Sequence, residues 1–350
     1  MKKLLFILIA ITIFNIPFTV CAKTEYENQL KDITNEYGID YENIEDITVQ
    51  SFISDIKEKV IEHIHKPLNL FLKMSGIILL CATLKTIQTD SDNLMDTVCT
   101  LIVFLSVLSP IEILISSIGE NIFAIKNFMV SFIPILSGIS MASGEFVTST
   151  LYNSLFFTSL VFIADFCTKT ILPSINLFFA LIVSNALSPF IKLKSLSDFY
   201  LKIVRWTMRA AVSLICFILT FQTVISQGKD TLAIKTGKLF AGSAIPIIGS
   251  GLQDAIGSVF AGMEVIKGFA GAAGLLVVLY IFLPSIISLS VYWLYTNGLY
   301  ILCDMFDVKG ISECINGFIN IIELLISIVL LFMVMLIFSI TMMISLTNGV

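Results

Sequence analysis

Charge is what this chain lacks. Only 13% of its 350 residues are Asp, Glu, Lys or Arg, against about 25% in a soluble domain. Arginine occurs twice, at 205 and 209, and histidine twice, at 63 and 65. Two arginines without a basic-aromatic patch exclude a nucleic-acid-binding surface. Two histidines with no companion cysteine offer no zinc-ligand spacing, so no metal or other cofactor is expected. The seven cysteines form no CxxC pair. Cys81, Cys99, Cys167 and Cys216 fall in apolar runs, where a free thiol acts as a small hydrophobe. Cys303 and Cys314 are the one pair left that a disulfide would join. HExxH, GxSxG and Walker A patterns are all missing, and no histidine follows residue 65. The chain carries no ATPase of its own and reads as a non-enzyme.

What fills the chain is apolar sequence: 57% of residues are hydrophobic and the mean hydropathy is +0.95. The fold class this implies is an all-α polytopic membrane protein, with the lipid bilayer as its first partner. Residues 1–22 resemble a signal peptide, with Lys2 and Lys3, an apolar core from Leu4 to Phe14, and Val20-Cys21-Ala22 as a cleavage site. Residues 23–66 hold eleven acids and five lysines. Ile53, Ile56, Val60, Ile61 and Ile64 lie at helical spacing, which predicts a short extracytoplasmic amphipathic helix.

Residues 67–350 form the membrane domain. About 20 residues span a hydrocarbon core of about 30 Å. Apolar runs lie near 68–87, 98–119, 128–144, 146–167, 170–190, 206–228, 242–262, 268–295 and 319–346. The 128–144 and 242–262 runs are short or interrupted, so the expectation is about 7–9 transmembrane or re-entrant helices. The connectors 191–205 and 228–238 are both basic. The positive-inside rule places both in the cytoplasm, which a single crossing at 206–228 cannot satisfy. Arg205 and Arg209 read as residues that snorkel to lipid headgroups.

The densest punctuation is at 241–274, with eight of the 19 glycines, one proline, and the charges Asp254, Glu264 and Lys267. Glycine and proline cost about 1 and 3 kcal/mol in a helix interior. Such a stretch either packs helices closely or forms a broken segment lining a pathway. It has an upstream partner: SFIPILSG at 131–138 parallels SAIPIIGS at 243–250, and ILPSINL at 171–177 parallels FLPSIISL at 282–289. These matches imply repeats over about 98–190 and 206–301. Duplicated halves with matched interrupted segments point to a transport pathway at their interface. Candidate pathway or hinge residues are therefore Pro134, Gly138, Pro246, Gly249, Gly271 and Gly274. A charge at mid-bilayer costs at least about 2.5–3.5 kcal/mol, so Glu112, Asp254, Glu264 and Lys267 are candidate buried charges. Glu264 and Lys267 are expected to pair along one helix face, as are Asp165 and Lys169.

Ile245-Pro246, Gly249, Asp254-Ala255, Lys267, Gly271 and Gly274, with FIPILSG at 132–138, resemble the stage III sporulation protein AE family. That resemblance implies an endospore-forming bacterium and a multi-pass protein of the mother-cell membrane surrounding the forespore. It implies a permease-like subunit of a channel or secretion-like complex. The implied partners are other stage III A-operon proteins, including an ATPase and ring-forming subunits. The N-terminal segment would face the space between the two membranes. The rival expectations are a self-sufficient secondary transporter of a small solute and a passive membrane scaffold.

Overall fold

The computed structural model describes residues 28–35, 67–84, 93–187, 194–244 and 249–345, without the side chains of 93–96, 148, 186–187, 219, 222–260 and 345. The expected signal peptide, most of the acidic segment and Pro246 lie outside the described residues. So do the Asp254 side chain and the surroundings of Gly249.

Every described element is helical, as the apolar composition requires. α1 covers residues 28–35 and α2 is Pro67–Leu84. α3 is Asn93–Ala142. A bent helical rod follows, made of α4 (Phe146–Leu151), α5 (Phe157–Phe166) and α6 (Leu172–Leu187). Two π turns join its parts, Tyr152–Phe156 and Cys167–Ile171. α7 is Lys194–Ala244, α8 Gly249–Met305 and α9 Lys309–Ser345. Among the described residues, five helical stretches are long and apolar enough to cross a membrane: Pro67–Leu84, Thr97–Ala142, Ser149–Asn185, Ala261–Met305 and Lys309–Ile344.

Several runs that read separately in the sequence are continuous helix. The 98–119 and 128–144 runs join through 120–127, where Glu120, Asn121, Lys126 and Asn127 are polar but no Gly or Pro interrupts. Asn121 donates to Ser285 Oγ on α8 at 2.6 Å, and Lys126 meets Asp165 at 2.5 Å, so neighbouring helices satisfy the polar insert. The expected Asp165–Lys169 pair is formed at 2.8 Å, and Lys126 completes it as a triad. The 146–167 and 170–190 runs join through the second π turn. Pro173 follows directly and has no N–H to give the preceding turn, which a shift of bonding register accommodates.

The core lies where α3, α8 and α9 meet. Phe128 and Phe132 stack at 5.0 Å, and Phe282 of α8 stacks on Phe332 of α9 at 6.4 Å. α8 and α9 form the most extensive helix pair. α2 leans on α8 through Phe71 and Tyr295, whose rings are 5.4 Å apart. Cys303 and Cys314 stay free, buried thiols.

Two tight turns reverse the chain, and both are Schellman motifs. After α3, Gly144 N–H bonds Met141 O and Glu145 N–H bonds Ser140 O, both at 3.0 Å. After α8, Asp307 N–H bonds Asp304 O at 3.2 Å and Val308 N–H bonds Cys303 O at 3.0 Å. The left-handed position is Gly144 in the first (φ 87°) and Asp307 in the second (φ 50°).

Candidate functional site

Two polar assemblies are built into this apolar framework. The first is a buried clamp at the α3–α4 turn. The Schellman geometry delivers Glu145 into the interior, where its Oε2 accepts from Lys267 Nζ of α8 at 2.6 Å. Their side chains are 6% and 1% exposed. A buried ion pair is costly to desolvate, and breaking one half of it is costlier still, about 3–5 kcal/mol. The pair therefore locks the first hairpin to α8. The neighbouring surfaces are also polar. Ser137 and Ser149 hydroxyls lie 2.6 Å apart, so one donates to the other, and they lie 3.1 and 2.7 Å from each other's carbonyl oxygens, one of which accepts the remaining proton. The Tyr152 hydroxyl sits beside Ser339 of α9, and Ser140 is fully buried.

The glycines that follow Lys267 on α8 let helices approach closely. A Cβ at Gly274 would stand 2.5 Å from the Phe132 ring of α3, and one at Gly271 would overlap Ile344 of α9. Ala270 and Ala273 are buried on the same stretch. Gly271 and Gly274 thus form a helix-packing seam, whereas nothing lies within 4 Å of a Cβ at Gly262 or Gly268.

The sequence-predicted residues are distributed unevenly. Lys267 is buried in the clamp, while Glu264 is exposed and does not pair with it. This corrects the expected Glu264–Lys267 pair: the two positions are neighbours on α8, but the Lys267 side chain turns inward to Glu145 and Glu264 stays on the exposed edge. Glu112 also lies on an exposed face, of α3, rather than in the interior. Pro134 is exposed within the unbroken α3, and Gly138, one turn on, is half-buried. Gly249 and Asp254 lie in the first turns of α8 without described surroundings, and Pro246 falls outside the described residues, so Pro134 has no described counterpart.

The second assembly is a polar seam between α7 and α9. Along α9 run Glu313, Asn316, Asn320, Glu323 and Ser327, one helix face over about 21 Å. Glu313 accepts from Asn185 of α6 at 2.9 Å and pairs with Lys194 of α7 at 3.5 Å. Arg205 of α7 donates to Asn320 Oδ1 and Glu323 Oε2, each at 2.9 Å. Trp293 Nε1 of α8 reaches Glu323 Oε1 at 3.5 Å. Arg205 is therefore ion-paired across the seam while its side chain stays 40% exposed. Water-accessible hollows lie along this seam beside Asn185, Lys194 and Glu313, and again beside Arg205, Arg209 and Glu323.

A family model described as stage III sporulation protein AE matches residues 31–347. The chain belongs to the stage III sporulation protein AE family. No curated protein and no solved structure matches it. The match spans both polar assemblies and all five apolar stretches, so this AE-family chain is a membrane protein in a sporulation setting.

Sequence reasoning passed over two of its features. Glu145 falls between the 128–144 and 146–167 runs and was not singled out; the signal was Gly144, which closes a Schellman turn and aims the next residue inward. The α9 seam was legible as polar residues at 313, 316, 320, 323 and 327, alternating steps of three and four. Hydropathy averaging over that span hid it.

Proposed function

We propose that this chain is a non-enzymatic, permease-like membrane subunit of a channel or secretion-like complex that sporulation requires. It would reside in the mother-cell membrane around the forespore, with residues 23–66 on the extracytoplasmic side. Its partners would be other stage III A-operon proteins, among them an ATPase and ring-forming subunits. The observation that carries this reading is the family match over 31–347. The sequence adds that no nucleotide-binding or hydrolytic motif is present, so energy must come from a partner or a gradient. The geometry adds Glu112 and Glu264, exposed carboxylates on apolar helices without an ion pair among the described residues. Such charges need water or a polar neighbour outside the chain.

Deleting the gene tests the proposal. Engulfment proceeds, forespore gene expression collapses and heat-resistant spore yield falls; normal spore yield contradicts the reading. The α7–α9 polar seam supports a second reading, a self-sufficient secondary transporter. Purified protein in liposomes then moves a solute along an ion gradient without partners. Inactivity alone, with co-purification of the sporulation partners from sporulating cells, favours the subunit.

A further inference from the structure

The α7–α9 seam changes character along its length. At one end a cavity of about 330 Å³ is lined by Arg205, Arg209, Glu323 and Ser327. Beyond it lies a second cavity of about 400 Å³, lined by Ile215, Leu331, Val334 and Phe338. Val212 and Ser327 line both, so the two adjoin as a single groove with a basic head and an apolar limb.

The head carries surplus positive charge. Arg205 is balanced by Glu323, whereas Arg209, one turn further, is exposed and has no ion pair among the described residues. Lys202 is exposed on the same helix, and so is Trp206, an aromatic of the kind that sits at headgroup level in membrane proteins. The limb is sized to a leaflet. From Arg209 to Thr220 is 11 residues by subtraction, about 16 Å of helix. Half of a hydrocarbon core is about 15 Å. A soluble anion would fill the head and leave the limb empty; a neutral apolar ligand would leave Arg209 unanswered.

We infer that the α7–α9 groove is a selective site for an anionic phospholipid, with the phosphate at Arg209 and an acyl chain against Val212, Ile215, Val334 and Phe338. The site is distinct from general lipid contact because it selects by headgroup charge. A bound lipid would also bridge α7 and α9, whose side chains both line the groove.

Native mass spectrometry of the full-length detergent-solubilised chain tests this, with phosphatidylglycerol and phosphatidylcholine added in parallel. Phosphatidylglycerol is retained about five-fold over phosphatidylcholine, the scale of one basic residue at a membrane surface. Arg209→Gln removes that preference and Arg209→Lys keeps it. Val212→Phe, at the junction of head and limb, lowers retention of both lipids. Thermal unfolding of each variant, run alongside, matches the parent because both positions are exposed. Equal retention of the two lipids by the parent, or an unchanged preference in Arg209→Gln, overturns the inference and leaves only annular lipid. Displacement of phosphatidylglycerol by glycerol 3-phosphate overturns it in favour of a soluble anion. A lipid-free dimer whose groove is labelled only after dissociation overturns it in favour of a second copy.

Discussion

The turns after α3 and after α8 have the same hydrogen-bond skeleton and opposite chemistry. Each closes with a 6→1 and a 5→2 bond and one left-handed residue. The position after the left-handed residue ordinarily makes an apolar contact back onto its helix. Val308 does so, and is 3% exposed. Glu145 occupies the equivalent place, is equally buried, and is charged. The second turn is finished by local packing between α8 and α9. The first is finished only when Lys267 arrives from 122 residues away. One turn folds on local information; the other reports whether α8 is in place. A buried ion pair contributes less net stability than well-packed hydrophobes do, so its value here is in fixing which surface of α8 the first hairpin meets.

The comparison can be broken most severely at the pair itself. Lys267→Met leaves Glu145 buried without its cation and is expected to cost about 3–5 kcal/mol, read as loss of membrane-inserted protein and early thermal unfolding in detergent. Adding Glu145→Val converts the first turn to the chemistry of the second and restores most of the loss. Next is the seam through which the same hairpin touches α8. Gly274→Val drives a side chain into the Phe132 ring and is expected to cost about 1–3 kcal/mol. Gly271→Val is milder, because the terminal carbons of Ile344 can turn away. Gly268→Ala is the control: nothing lies within 4 Å of the added carbon, so unfolding temperature holds or rises slightly.

Smaller effects separate the two left-handed positions. Gly144→Ala places a Cβ at φ 87° and is expected to cost about 1–2 kcal/mol. Asp307→Gly relieves the same conformation in the second turn and is expected to gain up to about 1 kcal/mol, set against the loss of its exposed contact to Lys309. Chemical denaturation of the two variants in one detergent gives both signs directly.

How far the sequence could be read follows from the same contrast. The all-helical membrane fold was legible because apolar length is a local property. Lys267 stood out because a lone cation in an apolar run is anomalous, and Gly271 and Gly274 because glycine is costly in helices. The partner of Lys267 was not legible. Glu264 was the nearest acid in sequence, and only tertiary packing decides that the inner face of α8 meets the α3–α4 turn. Continuity of α3 through 120–127 was likewise hidden, since Asn121 and Lys126 fall between two apolar runs and their partners, Ser285 on α8 and Asp165 on the facing rod, are distant in sequence. The α9 seam was also passed over: its polar residues at 313, 316, 320, 323 and 327 have helical spacing, but their partners Asn185, Lys194 and Arg205 lie on other helices.

The decisive measurement is a double-mutant cycle at Glu145 and Lys267, read simultaneously as membrane abundance and heat-resistant spore yield. The account predicts that Lys267→Met and Glu145→Val each lower both readouts, and that the double variant recovers at least ten-fold over the worse single. Equal readouts for all four proteins, or a double variant no better than the worse single, would contradict a clamp that holds the first hairpin on α8.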